Sequence, residues 1–154
     1  MRLLGNLLWH IPFLGFVTAG VTWLLGLLLT MLVIPAPIGL GCMELGKFLF
    51  LPFGREMISG TVLKDTRHPK WKAYSTVIMV LWLPIGLVLA AFATLQVVSL
   101  FLSILGIPAA IVLAKSLPTY LNPVNKKCVP SEVAEEIRRR RGVEGAAAYL
   151  GEEA

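Results

Sequence analysis

Two long apolar blocks decide what this chain can fold into. Leu3 to Phe53 contains Glu44 and Lys47 as its full charges, and Tyr74 to Val124 contains Lys115 alone. Runs this far beyond eighteen apolar residues indicate bilayer segments rather than a buried core. The chain has 154 residues, 56% hydrophobic and 15% charged, and a soluble domain of that size has too little interior to hide so much apolar surface.

The blocks share a plan. Pro37 is followed by Glu44, Pro52 and Arg55, and Pro108 is followed at the same intervals by Lys115, Pro123 and Lys126, a constant spacing of 71 between the two sets. Identities across the halves are few (Gly15 with Gly86, Leu24 with Leu95, Leu29 with Leu100), so proline spacing and hydropathy carry the comparison. The expected fold is an all-α integral membrane protein: four transmembrane helices in two tandem helical hairpins, parallel repeats of one unit, followed by a short cytoplasmic C-terminal helix. The divisions expected are residues 1–58 for the first hairpin, 59–73 for a basic linker, 74–129 for the second hairpin and 130–154 for a polar helix and tail.

Taken in order, Met1 to Ile11 suits a helix lying at the interface, with Leu3, Leu4, Leu7 and Leu8 on one side and Trp9 as an aromatic anchor. Pro12 marks a kink or a fresh start. This stretch is too long for a signal peptide and is expected to be retained. Phe13 to Ile34 runs about 33 Å as a helix, enough for a crossing, and its Gly15, Thr18, Gly20, Thr22, Gly26 and Thr30 allow another helix to approach closely. Residues 36–53 make about 27 Å, a bare crossing that could also be re-entrant. In the second half Pro84 marks the start of a crossing over Ile85 to Leu105, and residues 107–122 return with Pro118 as an internal kink. A soluble helix starts at Pro130-Ser131, and Gly142 is expected to end it.

Charge sets the orientation. Arg55 to Lys72 holds five Lys or Arg against two acids, and Lys126 to Arg141 holds six against three. The positive-inside rule places both stretches, and both termini, on the cytoplasmic side, with the uncharged turns at Pro35 to Pro37 and Gly106 to Pro108 opposite. The net charge of +5 therefore points to the bilayer and acidic lipid headgroups, with Arg55, Lys70, Lys126, Arg138, Arg139, Arg140 and Arg141 as the lipid or partner contacts, and not to nucleic acid. A membrane-protein partner or a homo-oligomer is the protein partner expected.

Glu44, Lys47 and Lys115 are the intramembrane charges, each costly unless paired or hydrated. The symmetric arrangement has Glu44 and Lys115 facing one another near an axis along the membrane normal, with Lys47 one helical turn away as a competing partner. Two readings stay open: a lock that holds the halves in register, or a proton or ion path. Cys42 and Cys128 occupy non-equivalent places and form no ligand pattern, so free thiols and no metal are expected. No GxSxG, HExxH, phosphate-binding glycine loop or carboxylate pair is present, which argues against an enzyme and against any cofactor.

The residues Cys42-x-Glu44-x-x-Lys47, Pro52-Phe53-Gly54-Arg55 and Ser103-Ile104-Leu105-Gly106-Ile107-Pro108 with Lys115 resemble the repeated signatures of the YccF-like bacterial inner-membrane proteins, whose domain occurs in tandem. The resemblance covers roughly residues 1 to 130 and implies a small polytopic component of the bacterial inner membrane. Where it leads one to expect glycine in the second Pro-x-Gly, this chain has Asn125. The function expected is a non-enzymatic membrane component or accessory subunit of a larger assembly, the alternative being an oligomeric small-solute or ion channel using the three intramembrane charges.

Overall fold

The computed structural model describes residues 2–60 and 69–150. Along the chain lie α1 (Arg2–Phe13), α2 (Gly15–Met31), α3 (Ala36–Phe50), β1 (Arg55–Ser59), α4 (Pro69–Phe101), α5 (Ile107–Leu121), β2 (Lys126–Pro130) and α6 (Ser131–Leu150). The protein is predominantly helical, and the spacing of 71 reappears in these bounds. It separates α3 from α5 at both ends, and β1 from β2 at both ends. The two strands, absent from the sequence expectation, pair with each other.

Glycine draws α2 and α3 into a tight antiparallel hairpin. A Cβ on Gly26 would stand 2.6 Å from Met43 N, one on Gly39 would stand 2.6 Å from Gly26 O, and one on Gly46 would stand 2.7 Å from Trp23 Cβ. Any side chain there would force the helices apart. Gly20 is different, because a Cβ added to it would meet nothing within 4 Å, so not every small residue of α2 serves packing. The hydroxyls of Thr18, Thr22 and Thr30 donate to the carbonyls of Leu14, Thr18 and Gly26, four residues back. They thereby satisfy themselves within the helix.

Helix ends leave carbonyls without intrahelical partners, and tryptophan supplies the donors. Trp9 Nε1 donates to Leu49 O at 3.0 Å, and Trp82 Nε1 donates to Tyr120 O at 3.1 Å. Leu49 and Tyr120 are 71 apart. So are Gly15 and Gly86, whose added Cβ atoms would run into Trp9 and Trp82 respectively. Each indole thus lies over a glycine and closes the last turn of a return helix. Trp9 is 5% exposed, which corrects the expectation of an interfacial anchor: its indole is enclosed by protein because the Leu49 carbonyl needs it.

The break expected at Pro12 falls at Leu14, which takes φ 49° and turns α1 by 82° from α2. Pro12 stays inside α1, and Leu3, Leu4 and Leu7 remain exposed on it. In the second half no such break occurs. Pro84 sits within α4, which runs unbroken for 33 residues, about 50 Å. The expected linker therefore ends early: Lys70, Trp71 and Lys72 ride the first turn of α4, while residues 61–68 of that linker lie outside the described residues. At the other end, Gly142 does not stop α6, which continues to Leu150. A glycine interior to a helix costs only about 1 kcal/mol against alanine, and the alanine-rich stretch beyond it favours continuation.

Among the described residues α4 alone is long and apolar enough to cross a bilayer unaided; α2 reaches that measure only together with α1 as a bent pair. Helices α3 and α5 have 15 residues each, about 22 Å against a hydrocarbon core of about 30 Å. The lengths therefore do not provide the four full crossings expected. Nor do the turns face away from the basic stretches. Tyr74 Oη donates to Val33 O at 3.1 Å and to Ile34 O at 2.6 Å, which puts the α2–α3 turn beside the first turns of α4, close to Lys70 and Lys72.

The core explains why. Phe48 and Leu49, late in α3, cluster with Ala109 and Val112, early in α5, together with Trp9, Ala19 and Leu45. Ile38, early in α3, clusters with Ile78 and with Val124 just after α5. The two return helices therefore pass each other in opposite senses, so that each hairpin's turn lies toward the other hairpin's entry.

Candidate functional site

The ribbon of β1 and β2 lies where these helices pass. It is antiparallel, pairing Arg55 with Pro130, Met57 with Cys128 and Ser59 with Lys126. Met57 and Cys128 are themselves 71 apart, so the pairing is symmetric about its centre. Beyond the strands, Gly60 N–H donates to Asn125 O and Ser131 N–H donates to Gly54 O, again a symmetric pair. Asn125 has φ 56°, a left-handed conformation that asparagine tolerates better than most residues, so it can stand where glycine was expected.

The prolines frame this unit. Pro37 and Pro108 open α3 and α5 in their first turns, where a missing N–H costs nothing. Pro52 and Pro123 are buried just ahead of the strands. Gly41 of α3 packs on Pro123: a Cβ there would overlap the Pro123 carbonyl oxygen and stand 2.6 Å from its carbon.

The ribbon lies against the shaft of α3, not beyond its end. Glu44 Oε2 accepts a hydrogen bond from Cys128 N–H at 2.9 Å, and Glu44 Oε1 accepts one from Lys47 Nζ at 2.6 Å. Lys115 lines a separate cavity of about 270 Å³ with Phe48, Glu56, Met57 and Arg138. The expected meeting of Glu44 and Lys115 is thus replaced by a local pair and a strand amide. Lys47, one helical turn from Glu44, reaches it without crossing the molecule, and opposite-sense passage sends Lys115 to the other strand.

The remaining basic residues are distributed over the ribbon and α6. Arg55 is half-buried in β1 beside the Cys128 thiol, whose pKa burial pushes up and Arg55 partly restrains. Both cysteines are free. Lys126 is half-buried, and its pKa is pushed down by desolvation; Lys70 is exposed. Arg138 forms an ion pair with Glu56, which ties α6 to β1. Arg139 and Arg140 both bind Glu136, at 2.9 and 2.7 Å, and Arg141 is exposed with no acidic partner among the described residues. The arginine run expected to contact lipid or a partner is therefore partly neutralised within the protein. Among the described residues no cluster of three potential metal ligands occurs.

The two guanidinium groups hold the Glu136 carboxyl well below the ordinary carboxylate range, to about 2. Because this pKa is depressed on folding, its stabilising contribution is complete above the unfolded value near 4.5 and is lost as pH falls from there toward 2. A carbon-detected NMR titration of Glu136 should give a midpoint near 2 that returns toward 4.5 in Arg139→Gln/Arg140→Gln, and high salt should weaken the effect because the pair is exposed.

Sequence reasoning missed the ribbon and the two tryptophan brackets. The signal that could have found the ribbon is the extension of the 71-residue spacing from the prolines into Arg55–Ser59 and Lys126–Pro130.

No curated protein and no solved structure matches this chain. A family model does match residues 4–55, which comprise nearly all of α1, all of α2 and α3, and the first residue of β1. The description of that family, YccF, is an inner membrane component domain, and the chain is similar to it over residues 4–55, about a third of its length.

Proposed function

We propose that the protein is a non-enzymatic component of the bacterial inner membrane, built by duplication of one hairpin-and-strand unit, that presents a charged platform at the cytoplasmic surface for acidic headgroups or a partner in a larger assembly. The observation that carries this reading is the separation of charge. Helix α2, and α4 beyond Lys72, bear no charged residue and expose Val21, Leu24, Leu28, Leu87, Phe92 and Leu95. The charged side chains gather instead on the ribbon, on α6 and at the positions of α3 and α5 beside the ribbon.

This arrangement favours insertion from one side. A ribbon bearing Arg55, Glu56, Lys126 and Lys127 cannot face hydrocarbon, and it lies along α3 at Glu44. The return helices then sit at the boundary under the ribbon, α2 and α4 are immersed in lipid, and the pseudo-two-fold axis through Met57 and Cys128 runs along the membrane normal. The excess of Lys and Arg on the platform supports a cytoplasmic orientation, with both termini on that side.

The pairing of Glu44 with Lys47 and the Cys128 amide supports the lock over an ion path. Liposomes holding the purified chain should pass protons and monovalent ions no faster than empty ones. Flux through the wild type that Glu44→Gln abolishes would overturn this reading in favour of a channel.

A further inference from the structure

Two cavities open against the ribbon, and the pseudo-symmetry relates their walls. The first, about 220 Å³, includes Glu44, Lys47, Lys126 and Lys127. The second includes Lys115, the counterpart of Glu44, and Glu56, the counterpart of Lys127. They differ because α6 occurs once. Its Arg138 enters the second cavity and pairs with Glu56, so that site already holds its own counter-charge. The first has three ammonium groups against one carboxylate, and Glu44 is already engaged by Lys47. Among the described residues neither Lys126 nor Lys127 has a carboxylate partner, although Lys126 is half-buried.

Asn125 also lines the first cavity, and its remaining wall on α3 is apolar: Pro37, Leu40 and Met43 line it, and Leu40 is 40% exposed on the side of α3. A partly dehydrated ammonium group at Lys126 and its exposed neighbour at Lys127, set beside an apolar wall, suit a ligand with a single anionic phosphodiester joined to hydrocarbon. We propose that this cavity is a binding site for an anionic phospholipid, with the headgroup phosphate on Lys126 and Lys127, Lys47 at its edge and an acyl chain leaving over Leu40. The desolvation that depresses Lys126 is then offset when the anion arrives. In the twin site the carboxylate of Glu56 stands in the place of Lys127 and is paired with Arg138, so no pair of free ammonium groups awaits an anion there, which leaves one lipid per chain.

The proposal rests on the membrane reading above, and its test separates the two. The full chain, purified in a neutral detergent, is titrated with dioctanoyl phosphatidylglycerol, dioctanoyl phosphatidylcholine and inorganic phosphate, with bound lipid counted by native mass spectrometry. One phosphatidylglycerol should bind in clear preference to the other two. Lys126→Ala/Lys127→Ala should lose affinity by about tenfold or more, Lys126→Arg/Lys127→Arg should keep most of it, and Lys72→Ala, at an exposed lysine outside the cavity, should match the wild type. Unchanged binding in the double-alanine variant, an equal loss in Lys72→Ala, or inorganic phosphate binding as well as the lipid would each overturn the site. Flotation with phosphatidylcholine vesicles should be the same for all variants; a wild type that does not float would overturn the membrane reading, and the lipid site with it.

Discussion

Gly41→Ala should destabilise the protein by roughly 2–4 kcal/mol, although helix propensity alone favours alanine by about 1 kcal/mol. The opposition of signs makes this substitution informative. The added Cβ would overlap the Pro123 carbonyl oxygen, and that atom belongs to backbone fixed between α5 and β2 rather than to a side chain that can swing aside. Relief requires α3 to withdraw from the ribbon, which also lengthens the bond from Cys128 N–H to Glu44. Gly20→Ala is the control, since nothing lies within 4 Å of the new methyl group, and there propensity should prevail. Thermal unfolding in detergent should therefore move in opposite directions for the two variants. A stabilised Gly41→Ala would mean that α3 does not pack on the ribbon.

The second large effect is expected at the indoles. Trp9→Ala removes a side chain that is 5% exposed and strips the Leu49 carbonyl of its donor, a loss of about 3–5 kcal/mol. Trp9→Phe keeps most of the volume but not the donor and should cost about 1–3 kcal/mol, the penalty of a buried carbonyl left unpaired. Trp82 is half-buried, so Trp82→Ala should cost less, while Trp82→Phe should match Trp9→Phe because the same carbonyl position is orphaned. Thermal or denaturant unfolding of the four variants checks this pattern. If Trp9→Phe is silent while Trp9→Ala is severe, the bracket is a matter of volume alone.

The sequence carries the helical plan because prolines and hydropathy are local signals. Pro37 and Pro108 open their helices by a fixed φ and a dispensable N–H, and both helices begin within one residue of them. What it does not display is pairing over 71 residues. Arg55–Ser59 and Lys126–Pro130 are too short and too charged to register as strands, and their partner is each other, a non-local fact. The same blindness misplaces Glu44 and Lys115. Equal position in two repeats implies equal depth, but not contact, once the return helices pass in opposite senses and Lys47 lies one turn from Glu44. Pro84 reads as a boundary because proline breaks most helices, yet α4 continues through it. Asn125, by contrast, is legible afterwards from its φ of 56°.

One-sided insertion under a charged ribbon is the claim on which the lipid site and the platform both depend. Single cysteines at Lys70, Arg140, Leu32 and Leu102, placed in a Cys42→Ser/Cys128→Ser background, can be probed with a membrane-impermeant thiol reagent in intact cells and in inverted vesicles. Lys70→Cys and Arg140→Cys should react only in inverted vesicles, and Leu32→Cys and Leu102→Cys should not react from the periplasm. Periplasmic labelling at either hairpin turn, or labelling of positions 70 and 140 from opposite sides, would rule out one-sided insertion.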